Sequence, residues 1–233
     1  MPADHLVKKF DDELGKLDAA ISEMGGLAEA QLSRALQAVR DRDTALAEDV
    51  IRGDARIDDI ERSVQDQVMR MLALRQPMAV DLRTILSAIK IAGAIERIAD
   101  YAKNTAKRSI VLSQTAAPAR AVTGIDRIGR LVQGLLKDVL DAFARGDVEK
   151  AKSVWLRDEE IDDAYNGLFR ELLTYMMEDA RTITAGTHLM FMAKNVERIG
   201  DHVTNVAELV AFRVTGGTFD ESRPKGAASI YTP

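Results

Sequence analysis

Residues 94–106 read Ala94-Ile95-Glu96-Arg97-Ile98-Ala99-Asp100-Tyr101-Ala102-Lys103-Asn104-Thr105-Ala106, and residues 195–207 read Asn195-Val196-Glu197-Arg198-Ile199-Gly200-Asp201-His202-Val203-Thr204-Asn205-Val206-Ala207. Glu-Arg-Ile-x-Asp stands in both stretches, with Asn104 and Asn205 one helical turn further on. Upstream, Asp43, Ala47, Val50, Asp54, Ile57, Asp58 and Asp59 recur as Asp147, Ala151, Val154, Asp158, Ile161, Asp162 and Asp163. The chain is therefore a duplication. Its spacing far exceeds the period of any solenoid repeat, so each copy must be a folding unit of several elements.

The repeated stretch is helical. With Glu96 at zero and about 100° per residue, Asp100 falls near 40° and Asn104 near 80°. Ile91, Ile95, Ile98 and Ala102 gather on the opposite side, at about 200–260°. Val196, Ile199 and Val203 repeat that arrangement around Glu197 and Asp201. This pattern predicts acids facing outward from a core.

Apolar residues recur at three and four along the whole chain, without a run of strict alternation. Turn chemistry interrupts the pattern at Asp41-Arg42-Asp43-Thr44, Gln76-Pro77, Ala117-Pro118, Arg145-Gly146-Asp147, more weakly at 180–184, and at Gly216-Gly217. Asp43 or Thr44 is placed to cap the helix that follows. Six helices of about 30 residues follow, each about 45 Å long. Helices that long, joined by short turns, fold back antiparallel. The expected fold is all-α: two tandem, pseudo-symmetric antiparallel three-helix bundles, 1–116 and 117–217, with a flexible tail over 218–233.

Composition narrows the functional classes. Of the 233 residues, 46% are apolar and 30% charged, enough for a core beneath a solvated surface. Aromatic residues make up only 5% and there are five prolines, which favours helix over a strand-rich sandwich. No apolar run is long enough to span a membrane, and residues 1–16 lack the apolar stretch of a secretory signal. The absence of cysteine excludes thiolate metal sites, thiol nucleophiles and disulfides, and suits a reducing interior. With 37 acids against 32 bases, the net charge of −5 provides no general attraction to nucleic acid.

The chemistry concentrates in duplicated acid pairs four residues apart: Asp54/Asp58 and Glu96/Asp100, then Asp158/Asp162 and Glu197/Asp201. Residues four apart on a helix stand one turn above each other, so both carboxylates of a pair point the same way. If the two helices of each half are neighbours, four carboxylates converge. Like charges that close repel unless a cation sits between them. All-oxygen ligation suits Mg, Mn or Fe(II) better than tetrahedral Zn, and Asn104 and Asn205 offer further amide oxygens. The competing reading is a salt-bridged surface with Arg97 and Arg198 as neutralising partners.

Other chemistries find little support. No His lies three residues after a Glu, as a ferritin-like di-iron core requires. His202 as a phospho-acceptor is not kept by the duplication, since Tyr101 holds the equivalent place. Neither a Gly-x-x-x-x-Gly-Lys loop nor a Gly-x-Ser-x-Gly elbow is present. Met176-Met177 and Leu189-Met190-Phe191-Met192 read first as core filler and second as an adaptable partner surface.

The duplicated Glu-Arg-Ile-x-Asp, the segment Arg75-Gln76-Pro77-Met78-Ala79-Val80-Asp81-Leu82-Arg83 and the segment Thr174-Tyr175-Met176-Met177-Glu178-Asp179-Ala180-Arg181-Thr182-Ile183 together resemble the PhoU family. The resemblance runs from about His5 to Asp220. It implies two three-helix bundles, a cytoplasmic location and a negative regulator of the phosphate-starvation response. The implied partners are the ATPase subunit of the phosphate ABC transporter and the phosphate sensor histidine kinase, and the expected assembly is a homodimer. The family's metal motif, acid-x-x-x-Asp, maps onto Glu96/Asp100 and Glu197/Asp201, and Asp54/Asp58 and Asp158/Asp162 match it on the preceding helices. The role expected is a non-enzymatic, metal-binding adaptor. The alternative is a metal-dependent phosphohydrolase with a surface carboxylate cluster.

Overall fold

The computed structural model describes residues 2–219 apart from Gln76 and Ala116, with side chains from Phe10 onward. Its elements are α1 (Pro2–Asp41), α2 (Thr44–Arg75), α3 (Val80–Ser113), α4 (Ala119–Arg145), α5 (Val148–Leu156), α6 (Asp158–Glu178), a short 3-10 turn (Ala180–Thr182) and α7 (Ile183–Thr215). The expected all-α bundle fold is what forms, and there is no strand among the described residues. No described helix is long and apolar enough to cross a membrane. Most of the expected tail, residues 220–233, lies outside the described residues. Phe219, inside the expected flexible tail, instead packs its ring 5.3 Å from that of Trp155.

The helix ends form as their residues dictate. Asp43 accepts a hydrogen bond from the Leu46 N–H at 2.9 Å, and its equivalent Asp147 accepts one from Lys150 N–H at 2.9 Å. The turn before each cap is also built twice. Asp43 N–H reaches Ala38 O at 3.1 Å and Asp147 N–H reaches Ala142 O at 2.9 Å, closing the preceding helix. Gly146 takes the left-handed conformation this closure needs, at φ 62°; Arg42 takes it in the first half, at φ 53°.

One element departs from the expected six helices. The fifth breaks at Arg157 into α5 and α6. Asp158, Glu159 and Glu160 fill the first turn of α6, and three carboxylates favour a helix N-terminus at that point. The equivalent positions in α2 are Asp54, Ala55 and Arg56, and α2 runs through unbroken.

Helices α1, α2 and α3 pack together, as do α4, α5/α6 and α7, and the halves join through α3 against α7 and α1 against α4. Arg83 Nε donates to Arg213 O at 3.2 Å near one end of the α3–α7 seam, and the Arg108 guanidinium lies 4.1 Å over the Phe191 ring near the other. The two helices are therefore antiparallel. Tyr101 and His202, equivalent in the duplication, stack at 5.7 Å near the middle. One continuous core runs through both halves, from Ile21 and Leu32 through Ile91, Ile95 and Ile98 to Ile128, Val196 and Ile199.

The α1–α4 contact shows the same pseudo-symmetry at atomic scale. Leu140 fills the notch at Gly25, and Leu36 fills the notch at the equivalent Gly129, where an added Cβ would lie 2.5 Å from Leu36 Cδ1. Gly129→Val is expected to wedge this contact and lower stability by about 1–3 kcal/mol in urea denaturation, despite the better helix propensity of Val. Combining it with Leu36→Ala should cost less than the sum of the two single changes, because the same space is involved.

Candidate functional site

The sequence-predicted acids occupy the grooves between α2 and α3 and between α6 and α7. In the first half, Asp54 is not outward-facing: it is only 4% exposed. It stands four residues after Val50 and three before Ile57, so it belongs to the buried stripe of α2. Its carboxylate accepts from Gln31 Nε2 at 2.9 Å and from the Lys103 ammonium. Gln31 Nε2 also reaches Ala99 O at 3.1 Å, so one amide ties α1 to both α2 and α3. The same Lys103 ammonium lies 2.7 Å from Asp100 Oδ1, and Asn104 Nδ2 donates to Asp100 Oδ2 at 3.2 Å. Burial draws the Lys103 ammonium towards neutrality, but its bonds to Asp100 and Asp54 outweigh that and hold it well above the usual lysine range.

Glu96 lies one turn before Asp100 and is 3.6 Å from the Arg97 guanidinium. Burial pushes its carboxyl up; Arg97 opposes this, while Glu61, Asp100 and Asp58 add to it. Glu61 was not among the expected site residues. It stands three residues after Asp58 on the same face of α2, and an added Cβ at Gly93 would lie 3.8 Å from its Oε1. That i, i+3 spacing was the available signal.

The second half is built differently. Asp158 is buried at 5% exposure, again on the core stripe rather than facing outward. The Glu197 side chain is 12% exposed. Its Oε1 accepts from Lys194 Nζ at 2.7 Å, and its Oε2 is buried without a hydrogen-bond partner. Burial is the main cause of its raised carboxyl pKa; Lys194 lowers it and Asp201 raises it further. Lys194 also lies 5.3 Å over the Tyr165 ring. Asp201 approaches Arg198 at 3.7 Å, and Asp158, Asp162 and Asp201 each have further interactions. His202 is half-buried, and burial holds its imidazole below the usual range; Asp201 opposes this while Arg97 and Arg198 reinforce it.

Neither groove gathers its four expected acids into a ligand set. Among the described residues, no group of three or more His, Asp or Glu side chains is arranged to hold a metal ion. The donor chemistry, all oxygen, suits a hard divalent ion. The arrangement does not: an amine occupies the position between Asp54 and Asp100, and another binds Glu197.

The two halves match a profile described as the PhoU domain, over residues 21–109 and 125–210. The chain belongs to the PhoU family. It is 51% identical over 223 residues to the phosphate-specific transport system accessory protein PhoU homolog of Caulobacter vibrioides, covering 95% of this chain and 96% of that one. Its identity to the homolog of the same description from Rhizobium meliloti is 48% over 221 residues, covering 95% and 93%. The crystal structure of PhoU from Pseudomonas aeruginosa superposes with a TM-score of 0.87 at 40% identity, over 89% of this chain and all of that one. That of the phosphate transport system regulatory protein PhoU from Streptococcus pneumoniae gives 0.82 at 29% identity, over 91% of this chain and all of that one.

In this PhoU-family chain Glu197 is a carboxylate whose ionised form the fold disfavours. Its native pKa lies above the unfolded value, so its contribution to stability is present below the unfolded pKa and is lost as pH rises through the native one. Glu197→Gln is therefore expected to be more stable than the parent at pH 8. The difference should shrink towards pH 4, as read by urea midpoints at the two pH values.

Proposed function

We propose that the chain is a non-enzymatic regulatory accessory protein of phosphate-specific transport, acting in the cytoplasm as an adaptor. It reports the state of the transporter's ATPase subunit to the phosphate sensor histidine kinase and favours repression of the phosphate-starvation response. The observation that carries this reading is likeness over nearly the whole chain to accessory proteins of that transport system. The surface supports it. Met78 at the α2–α3 turn is 79% exposed and Met177 near the α6–α7 turn is 87% exposed, with Leu74, Val80 and Ile183 exposed beside them. Because α3 and α7 are antiparallel, these two apolar tips lie at opposite ends of the seam.

Unbranched methionines adapt to irregular partner surfaces, and exposed apolar groups gathered at a tip suit protein contact better than solvent. An adaptor shifts a partner's equilibrium only by the difference between its affinities for the partner's two states. Two pseudo-equivalent halves with different tips allow two partners, or two states of one, to be told apart. No step of this reading passes through a metal.

Deleting the gene is expected to switch on phosphate-starvation genes in phosphate-rich medium, measured by transcript levels. Complementation with Met78→Asp or Met177→Asp should restore repression less well than the parent, while purified variants keep the parent's melting temperature. Unchanged repression in the deletion strain would remove the adaptor reading. Release of phosphate from phosphoesters by the purified protein would favour the hydrolase instead.

A further inference from the structure

The two grooves carry one lysine each, at different heights. Lys103 of α3 has Thr204 as its equivalent, and Lys194 of α7 has Gly93. Ten positions separate residue 93 from residue 103, about 15 Å along the helix. Around these lysines the acids differ in register: Glu61, which faces Gly93, is replaced by Tyr165 in the half where Lys194 is present. The duplication has kept the acid pairs and moved the cation.

We propose that Lys103 is the resident cation of the first-half groove: its ammonium holds the place between Asp54 and Asp100 that a divalent ion would need, so a divalent ion enters only by displacing it. This goes beyond the adaptor reading and does not depend on it. A buried carboxylate without a counter-charge is strongly destabilising, and Asp54 is among the most buried charged groups described. Gln31 supplies one neutral donor to it, and Lys103 supplies the charge. The ammonium is tethered to the same helix as Asp100. It therefore competes with any free cation at the high effective concentration of an intramolecular partner. The long, flexible lysine stem allows withdrawal into solvent, but withdrawal leaves Asp54 unpaired unless another cation replaces it. The acid-x-x-x-Asp motif alone does not decide whether a groove takes metal. In this half, Lys103 decides it.

The test uses the full chain, stripped with EDTA and desalted, as the parent and as Lys103→Arg, Lys103→Met and Asp54→Asn/Lys103→Met. Mn(II) is titrated by calorimetry, and melting is followed in EDTA and in MnCl2. Lys103→Met is expected to bind Mn(II) at least about tenfold more tightly than the parent, to melt lower in EDTA and to recover on adding Mn(II), by mass action. Parent and Lys103→Arg should show little Mn(II)-dependent shift. The Asp54→Asn/Lys103→Met protein, with both buried charges removed, should melt above Lys103→Met in EDTA and ignore Mn(II). If Lys103→Met folds only when refolded with Mn(II), the proposal is supported. If it fails to fold with or without Mn(II) while the double variant folds, the proposal falls. Equal Mn(II) affinity and equal melting shifts in parent and Lys103→Met would also overturn it.

Discussion

The antiparallel seam between α3 and α7 is the constraint on which the rest of the molecule depends. Both helices are apolar on more than one face. Along α3, Ile85, Ala88, Ile91, Ala92, Ile95, Ile98, Ala99 and Ala102 are all buried. Along α7, Ala185, Leu189, Met192, Ala193, Val196, Ile199, Val203 and Val206 are buried in the same way. A helix with so broad an apolar face cannot satisfy it against two neighbours of its own half, so it takes a third from the other half. Small residues among the larger ones let the backbones approach. The halves consequently share one core instead of meeting as separate globules. The α1–α4 contact, with its reciprocal Leu-into-Gly notches, follows from the same two-fold arrangement.

That packing sets the electrostatics of the grooves. With α3 held between α1, α2 and α7, Asp54 is nearly buried and is neutralised by groups of the protein itself. Gln31 from α1 and Lys103 from α3 converge on it, and the resulting cluster joins three helices through polar contacts within an otherwise apolar bundle. In the second half the lysine serves a different acid: Lys194 binds Glu197, two turns or more away from the Lys103 level. Two halves with a common ancestry thus arrive at grooves of similar acid content but different internal charge placement. The exposed methionines, Met78 and Met177, stand near opposite ends of the α3–α7 seam.

Much of this was legible in the residues. The duplication, the helical period, the Asp43 and Asp147 caps, the turns at Pro77 and Gly146, and the family resemblance all rest on short-range patterns or on direct comparison of one half with the other. The break at Arg157 was also written there, in the acid run Asp158-Glu159-Glu160, but a continuous apolar period obscured it. The acids were less well read. A wheel centred on Glu96 correctly separates that face from Ile95 and Ile98, yet Asp54 and Asp158 stand on the core stripe of their own helices, in line with Val50/Ile57 and Val154/Ile161.

The sequence by itself determined the all-α class, the two-fold repeat and the positions of most helix ends, because hydrogen bonding along a helix and its caps engage residues within about four positions of one another. Only the tertiary structure decided which carboxylates are buried and what neutralises them. Gln31, Asp54 and Lys103 are far apart along the chain and lie on three helices. Their meeting depends on how each helix is rotated about its axis and how far it slides along its neighbour. Those two degrees of freedom are set by side-chain interdigitation across the core, and local periodicity carries no record of them.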